Sequence, residues 1–193
     1  MEGTDPVNKM LAAALSGGAA LVLVLTGCSD DDSGKKRDDW AKKVCDQVKP
    51  EVQKIRAAND SIDQASKENK SPEDVKKADS AAFQQISGAY KSLADAVDDA
   101  GAPPVDDGAK VQKDAVSELK GLSSQYADLK TRVDKLDPDK NFDEGLRGVA
   151  TRLGELGKGG DKALNKLQSG DLGKAMAKQE GCKRPTGSAT RSG

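Results

Sequence analysis

The stretch 111–136 constrains this chain more than any other. Val111, Ala115, Leu119, Leu122, Tyr126, Leu129, Val133 and Leu136 recur at steps of four or three residues without a miss. That spacing holds side chains on one seam of an α-helix, whereas a strand alternates its faces every second residue. A long helix with a single apolar seam has to bury it against other elements. No strand-like alternation of useful length occurs elsewhere in the 193 residues. The chain is therefore expected to be all-α.

Three further segments carry helical stripes. The first spans about 38–67, with Trp40, Val44, Val48, Val52, Ile55, Ile62 and Ala65 on one face and an interruption around Ala58 and Asn59. Asp38 or Asp39 can cap its start, and Pro50 is expected to kink or divide it, because the ring clashes with the preceding turn. The second opens with Ser71-Pro72-Glu73-Asp74: a capping residue, proline at the first helical position, then acids in the first turn. Its stripe is Val75, Ala78, Ala82, Ile86, Leu93 and Val97, with Ala89 or Tyr90 bridging the gap, and Gly101 with Pro103-Pro104 ends it. Asp137-Pro138 stops the third segment. The fourth starts at Asp137 or Asp139, carries Phe142, Leu146, Val149, Leu153 and Leu156, and is rich in glycine. Each interior glycine costs about 1 kcal/mol relative to alanine. This column is expected to be the least stable, to break near Gly159-Gly160, to restart at Asp161, and to end in a short helix over 171–179. Four amphipathic segments with brief turns point to an antiparallel four-helix bundle over 38–182, its last helix broken into short pieces.

Ahead of the bundle, residues 10–24 are almost wholly apolar and small, and Leu25-Thr26-Gly27-Cys28 follows directly. The run matches a secretory h-region of roughly 7–15 residues and falls short of the about 20 apolar residues a spanning helix needs. Glu2 and Asp5 oppose Lys9, the wrong charge for a signal, which points to translation starting near Val7 or Met10. Leu25-Thr26-Gly27-Cys28 resembles the lipobox of bacterial lipoproteins. The resemblance implies that residues 1–27 are a signal peptide and that Cys28 receives a diacylglyceryl group and becomes the acylated N-terminus. The domain would then sit on the outer face of the cytoplasmic membrane, held stably by its acyl chains. Residues 28–37, where Asp30-Asp31-Asp32 face Lys35-Lys36-Arg37, are expected to be a flexible tether, and 183–193 a polar, disordered tail. With the Trp40-x-x-x-Val44-Cys45 entry into a helix and the late Cys182, the whole looks like small exported lipoproteins of Gram-positive actinobacteria. That resemblance brings no catalytic or binding residues with it.

Once Cys28 is committed to lipid, Cys45 and Cys182 remain, and two cysteines in an exported chain read as one disulfide. In an up-down-up-down bundle the first helix starts where the fourth finishes, so the two can meet. Removing residues 1–27 takes away Lys9, Glu2 and Asp5 and leaves 166 residues with 30 basic and 30 acidic side chains. The signs are interleaved rather than clustered, so nucleic acid is not an expected partner. The absence of histidine removes the commonest general base, the Ser-His and Cys-His pairings and imidazole metal sites. Five aromatic residues are too few to line a typical deep pocket. No catalytic residue, cofactor or metal ligand is assigned.

Other features have structural explanations. Asp137, Asp139, Asn141 and Asp143 alternate as in a calcium loop, yet its sixth and twelfth positions are Phe142 and Gly148 instead of glycine and glutamate. Helix capping accounts for them. Asp98, Asp99, Asp106, Asp107, Glu118 and Glu155 are too ordinary among so many acids to mark a glycosidase-type pair. Trp40, on the apolar stripe, is read as a core residue at the bundle end beside Cys45. The expected function is that of a non-enzymatic, membrane-anchored envelope lipoprotein presenting a helical surface to a protein or cell-wall partner. The alternative is an extracytoplasmic binding protein for a small ligand or ion, with its crevice beside the glycine-rich fourth helix.

Overall fold

The computed structural model describes residues 29–68, 70–159 and 162–183. Every regular element among them is helical: α1 (Ser29–Lys67), α2 (Pro72–Ala100), α3 (Gly108–Asp134), α4 (Phe142–Gly159), α5 (Lys162–Leu167) and α6 (Gly170–Lys178), then a 3₁₀ turn, Glu180–Cys182. The protein is an all-α antiparallel bundle whose fourth column is in pieces, as its glycines foretell.

The central element is α2, which packs along both α1 and α3. Its contact surface is consequently wider than the single predicted stripe: Ala82, Phe83, Ile86, Ala89, Leu93, Ala94, Ala96 and Val97 are all buried. The alanines let neighbouring backbones approach closely. The N-terminus of α2 is capped as expected, the Ser71 side chain accepting a hydrogen bond from the Asp74 backbone N–H at 3.2 Å. Two apolar clusters fill the interior. The lower one gathers Trp40, Val44, Leu93, Val97, Val111 and Leu119 with Leu167, Leu172 and Ala175 of α5 and α6. The upper one gathers Ala58, Phe83, Ile86, Leu129, Val133, Val149 and Leu156. Between α2 and α3, Ser87 and Ser123 exchange hydrogen bonds: each hydroxyl donates to the other residue's carbonyl, at 2.8 and 2.9 Å. Tyr126, on the predicted seam of α3, is half-buried and stacks on Tyr90 with ring centroids 5.5 Å apart.

Several details depart from the sequence reading. Helix α1 begins at Ser29, so residues 29–37, expected as a flexible tether, are helical, and neither Asp38 nor Asp39 starts a helix. Pro50 does not divide α1, although its ring deprives the Asp46 carbonyl of its helical donor; both residues are exposed. The supposed interruption at Ala58 is a buried contact, with Ala58 only 1% exposed. Helix α4 starts at Phe142 rather than at Asp137 or Asp139, because Asn141 takes a left-handed conformation (φ 53°) just before it. Asp137 instead closes the preceding turn, accepting from the Asp139 N–H at 3.0 Å and pairing with Lys140 at 3.3 Å. The fourth side of the bundle is also not one column alongside α1. Helices α4 and α5 lie against α3, while α6 and the 3₁₀ turn cross to α1. Residues 1–28, including the apolar run and Cys28, and the tail beyond Lys183 lie outside the described residues.

Candidate functional site

Of the residues singled out by sequence, Trp40, Cys45 and Cys182 come together at the lower end of the bundle, where α2 ends, while Cys28 lies outside the described residues. Trp40 is buried in the lower cluster, and its Nε1–H donates to the Gly101 carbonyl at 2.8 Å, tying the start of α1 to the end of α2. Gly101 has φ +78°, a conformation L side chains rarely adopt, and it turns the chain out of α2. Lys43 Nζ donates to the Asp99 carbonyl beside it. The α2–α3 loop is folded tightly underneath: a Cβ on Gly108 would stand 2.0 Å from the Pro103 carbonyl oxygen.

Cys45, fully buried on α1, and Cys182, in the 3₁₀ turn, form a disulfide with Sγ atoms 1.97 Å and Cα atoms 5.1 Å apart. This is the pairing expected from topology. Its Cys45 sulfur also lies 3.9 Å from the Met176 carbonyl, a contact rather than a hydrogen bond, since a bonded sulfur carries no hydrogen. Gly181 makes the close approach possible, because a Cβ there would stand 1.9 Å from the Cys45 carbonyl oxygen. We expect Gly181→Ala to push the turn off α1 and to cost about 1–3 kcal/mol, as overpacking does. Gly148→Ala and Gly154→Ala, in α4 with nothing within 4 Å of the added carbon, should instead stabilise by about 0.5–1 kcal/mol each. Thermal denaturation of the three variants checks both signs, and a neutral Gly181→Ala would refute the seating of the turn.

Charge complementarity accompanies the clip. Lys178 on α6 pairs with Asp38 on α1 at 3.4 Å. Asp171 has its pKa lowered by its hydrogen bond and charge contact with Lys174, and further by Arg37 of α1. Glu180 is held low by Lys183, and further by Lys49 of α1. Lys178, Asp171, Lys174, Glu180 and Lys183 are exposed, so the role of these pairs is orientation more than stability.

Away from this end, Asp79 of α2 is the carboxylic acid among the described residues whose burial clearly raises its pKa. It is 7% exposed, its Oδ1 has no hydrogen-bond partner among the described residues, and burial pushes its carboxyl up to about 6. Sequence reasoning missed it, although Asp79 stands four residues after Val75 and seven before Ile86, on the buried stripe. Glu51 of α1 is also buried, with Oε1 accepting from Lys54 Nζ at 2.8 Å. Near the start of α2, Lys70, Asp74, Lys77, Ala78 and Ala81 line a depression open to solvent. Among the described residues no group of three or more His, Cys, Asp or Glu side chains is placed to hold a metal ion, and no helix is long and apolar enough to cross a membrane. Protein-family models, curated proteins and solved structures yield no match to this chain.

Proposed function

We propose that this is a lipid-anchored envelope protein, attached through Cys28 to the outer face of the cytoplasmic membrane, that works by presenting a helical surface to an envelope protein or cell-wall component rather than by catalysis. The observation that carries this reading is the placement of Leu25-Thr26-Gly27-Cys28 where the apolar run 10–24 stops and immediately before the first residue of α1. The Cys45–Cys182 disulfide supports an extracytoplasmic location, because such bonds persist in oxidising compartments. A closely balanced, interleaved charge suits a solvated helical surface.

Labelling with a fatty-acid analogue tests the anchor. Cys28→Ala should abolish the label and leave an unprocessed precursor, and a variant that still carries label sinks the proposal. Cross-linking from the exposed faces of α1 and α4 in intact cells then identifies what the bundle touches.

A further inference from the structure

The helix that enters the bundle is partly covered on one side. Ser33, Arg37 and Asp38 are half-buried while Asp32, Lys35, Lys36 and Asp39 are exposed, although a Cβ at Gly34 would meet nothing within 4 Å. The neighbour on that side is α6, which packs against α1, pairs Lys178 with Asp38, and brings Asp171 within the field of Arg37. The disulfide between Cys45 and Cys182 fastens the far end of the same piece of chain one or two turns higher. The stretch 37–45 of α1 is therefore clasped by α6 and the 3₁₀ turn, and residues 32–36 continue the same unbroken helix below it.

We infer that the membrane anchor is joined to the bundle by this clasped helix acting as a stiff spacer, so that the α2–α3 loop at 101–107 and α6 face the lipid and the turns at 68–71 and 135–141 face outward. The inference rests on the proposed lipidation of Cys28. At a rise of about 1.5 Å per residue, Trp40 stands roughly 16 Å and Lys67 roughly 57 Å along the helix from Ser29. A slack coil over the same eleven residues would have a root-mean-square span of about 18 Å. The two cases therefore differ little in the mean height of the bundle's lower end, and they differ in whether the bundle keeps one orientation. Asp98 and Asp99 at the end of α2 and Asp106 and Asp107 in the loop crowd this membrane-facing end. A spacer of this length keeps them beyond the Debye length of about 8 Å at physiological salt, so a bilayer with anionic lipid does not repel them strongly.

Trp40 is the only tryptophan, and this makes orientation measurable. The protein is matured in bacteria from the full chain, purified from membranes, and reconstituted in phosphatidylcholine–phosphatidylglycerol vesicles containing a dansyl-headgroup lipid. Energy transfer to dansyl should be strong from Trp40. In Trp40→Phe chains it should be weaker from tryptophan placed at the exposed Gln53 and near zero at the exposed Lys67. A Gly-Gly-Ser repeat inserted after Asp32 should erase this gradient. Equal transfer from positions 53 and 67, or a gradient indifferent to the insertion, overturns the inference. Amide exchange on the unaltered protein supplies a check free of the Trp40 substitution: residues 32–38 should exchange as slowly as the middle of α1, and immediate exchange overturns the spacer. A fatty-acid label on the same preparation separates the two proposals. Label without a gradient defeats only the spacer, and absence of label defeats the anchor and the spacer with it.

Discussion

Replacing Asp79 with asparagine should stabilise the protein at pH 7.5 and remove most of the fall in stability between about pH 4 and pH 6. The sign follows from burial. The folded carboxyl has its pKa pushed from 3.8 up to about 6, so within that window the folded state binds more protons than the unfolded state. Stability is then fully present below the unfolded pKa and is lost as pH rises through the folded one. A tenfold difference in proton affinity between the two states corresponds to about 1.4 kcal/mol, which puts the effect at roughly 1–3 kcal/mol once relaxation around the charge is allowed for. For a domain of this size that is on the order of 5 °C in melting temperature. Asp114, Asp134 and Asp171 have pKa values lowered by lysine partners and act in the opposite direction. The informative quantity is accordingly the difference between native and Asp79→Asn stability profiles. Parallel profiles would mean that Asp79 is ionised and paired at low cost, contrary to its unpartnered Oδ1.

Opening the disulfide should have a larger effect. Cys45 and Cys182 are 137 residues apart, and in the chain-entropy treatment a cross-link closing so long a loop contributes about 5 kcal/mol, with measured gains often smaller. Reduction, or Cys45→Ser with Cys182→Ser, should lower the melting temperature by roughly 10–20 °C. The damage should be uneven. Amide exchange should quicken most over 162–182 and over 37–45, the two sides of the clasp, and least in α3, which packs along α2 without help from the bond. Peptide mapping without reductant decides the premise: free thiols at Cys45 and Cys182 in protein from the envelope would remove it. Uniform loss of protection would instead show that the fourth column is no weaker than the rest.

Helical periodicity carries the architecture because α3 and most of α2 bury conventional seams, where apolar side chains at three- and four-residue steps report the buried face directly. It fails where burial depends on small or charged residues. The overhang at 32–38 is partly covered at Ser33, Arg37 and Asp38, none of which registers on an apolar stripe. Signals for that helix are nevertheless present. Ser29 followed by Asp30, Asp31 and Asp32 places acids where the helix dipole favours them, and Asp31 with Lys35 and Asp32 with Lys36 have the favourable four-residue order. They read as a solvated charge run because nothing apolar accompanies them. Ala58 reads as a gap for a related reason: a small side chain at a close helix contact contributes little hydrophobicity while being almost wholly buried. The crossing of α6 from the α3 side to α1 is not legible at all, since stripes give the face of each helix and not which neighbour covers it. For the site, the pairing of Cys45 with Cys182 follows from count and topology, while the seat of Gly181 against the Cys45 carbonyl requires coordinates.

The position of Cys182 after all six described helices has a consequence for how the protein is made. The hairpins α1–α2 and α2–α3 join segments adjacent in the chain, so their packing needs nothing downstream. The partner of Cys45, by contrast, is synthesised only after α6. A chain cut short between the end of α3 and residue 182 can assemble its first three helices yet leaves the Cys45 thiol unclaimed. Formation of this bond is thus a chemical record that synthesis ran past α6, and an exposed thiol at residue 45 is the mark by which a copy lacking that segment differs from one that has it.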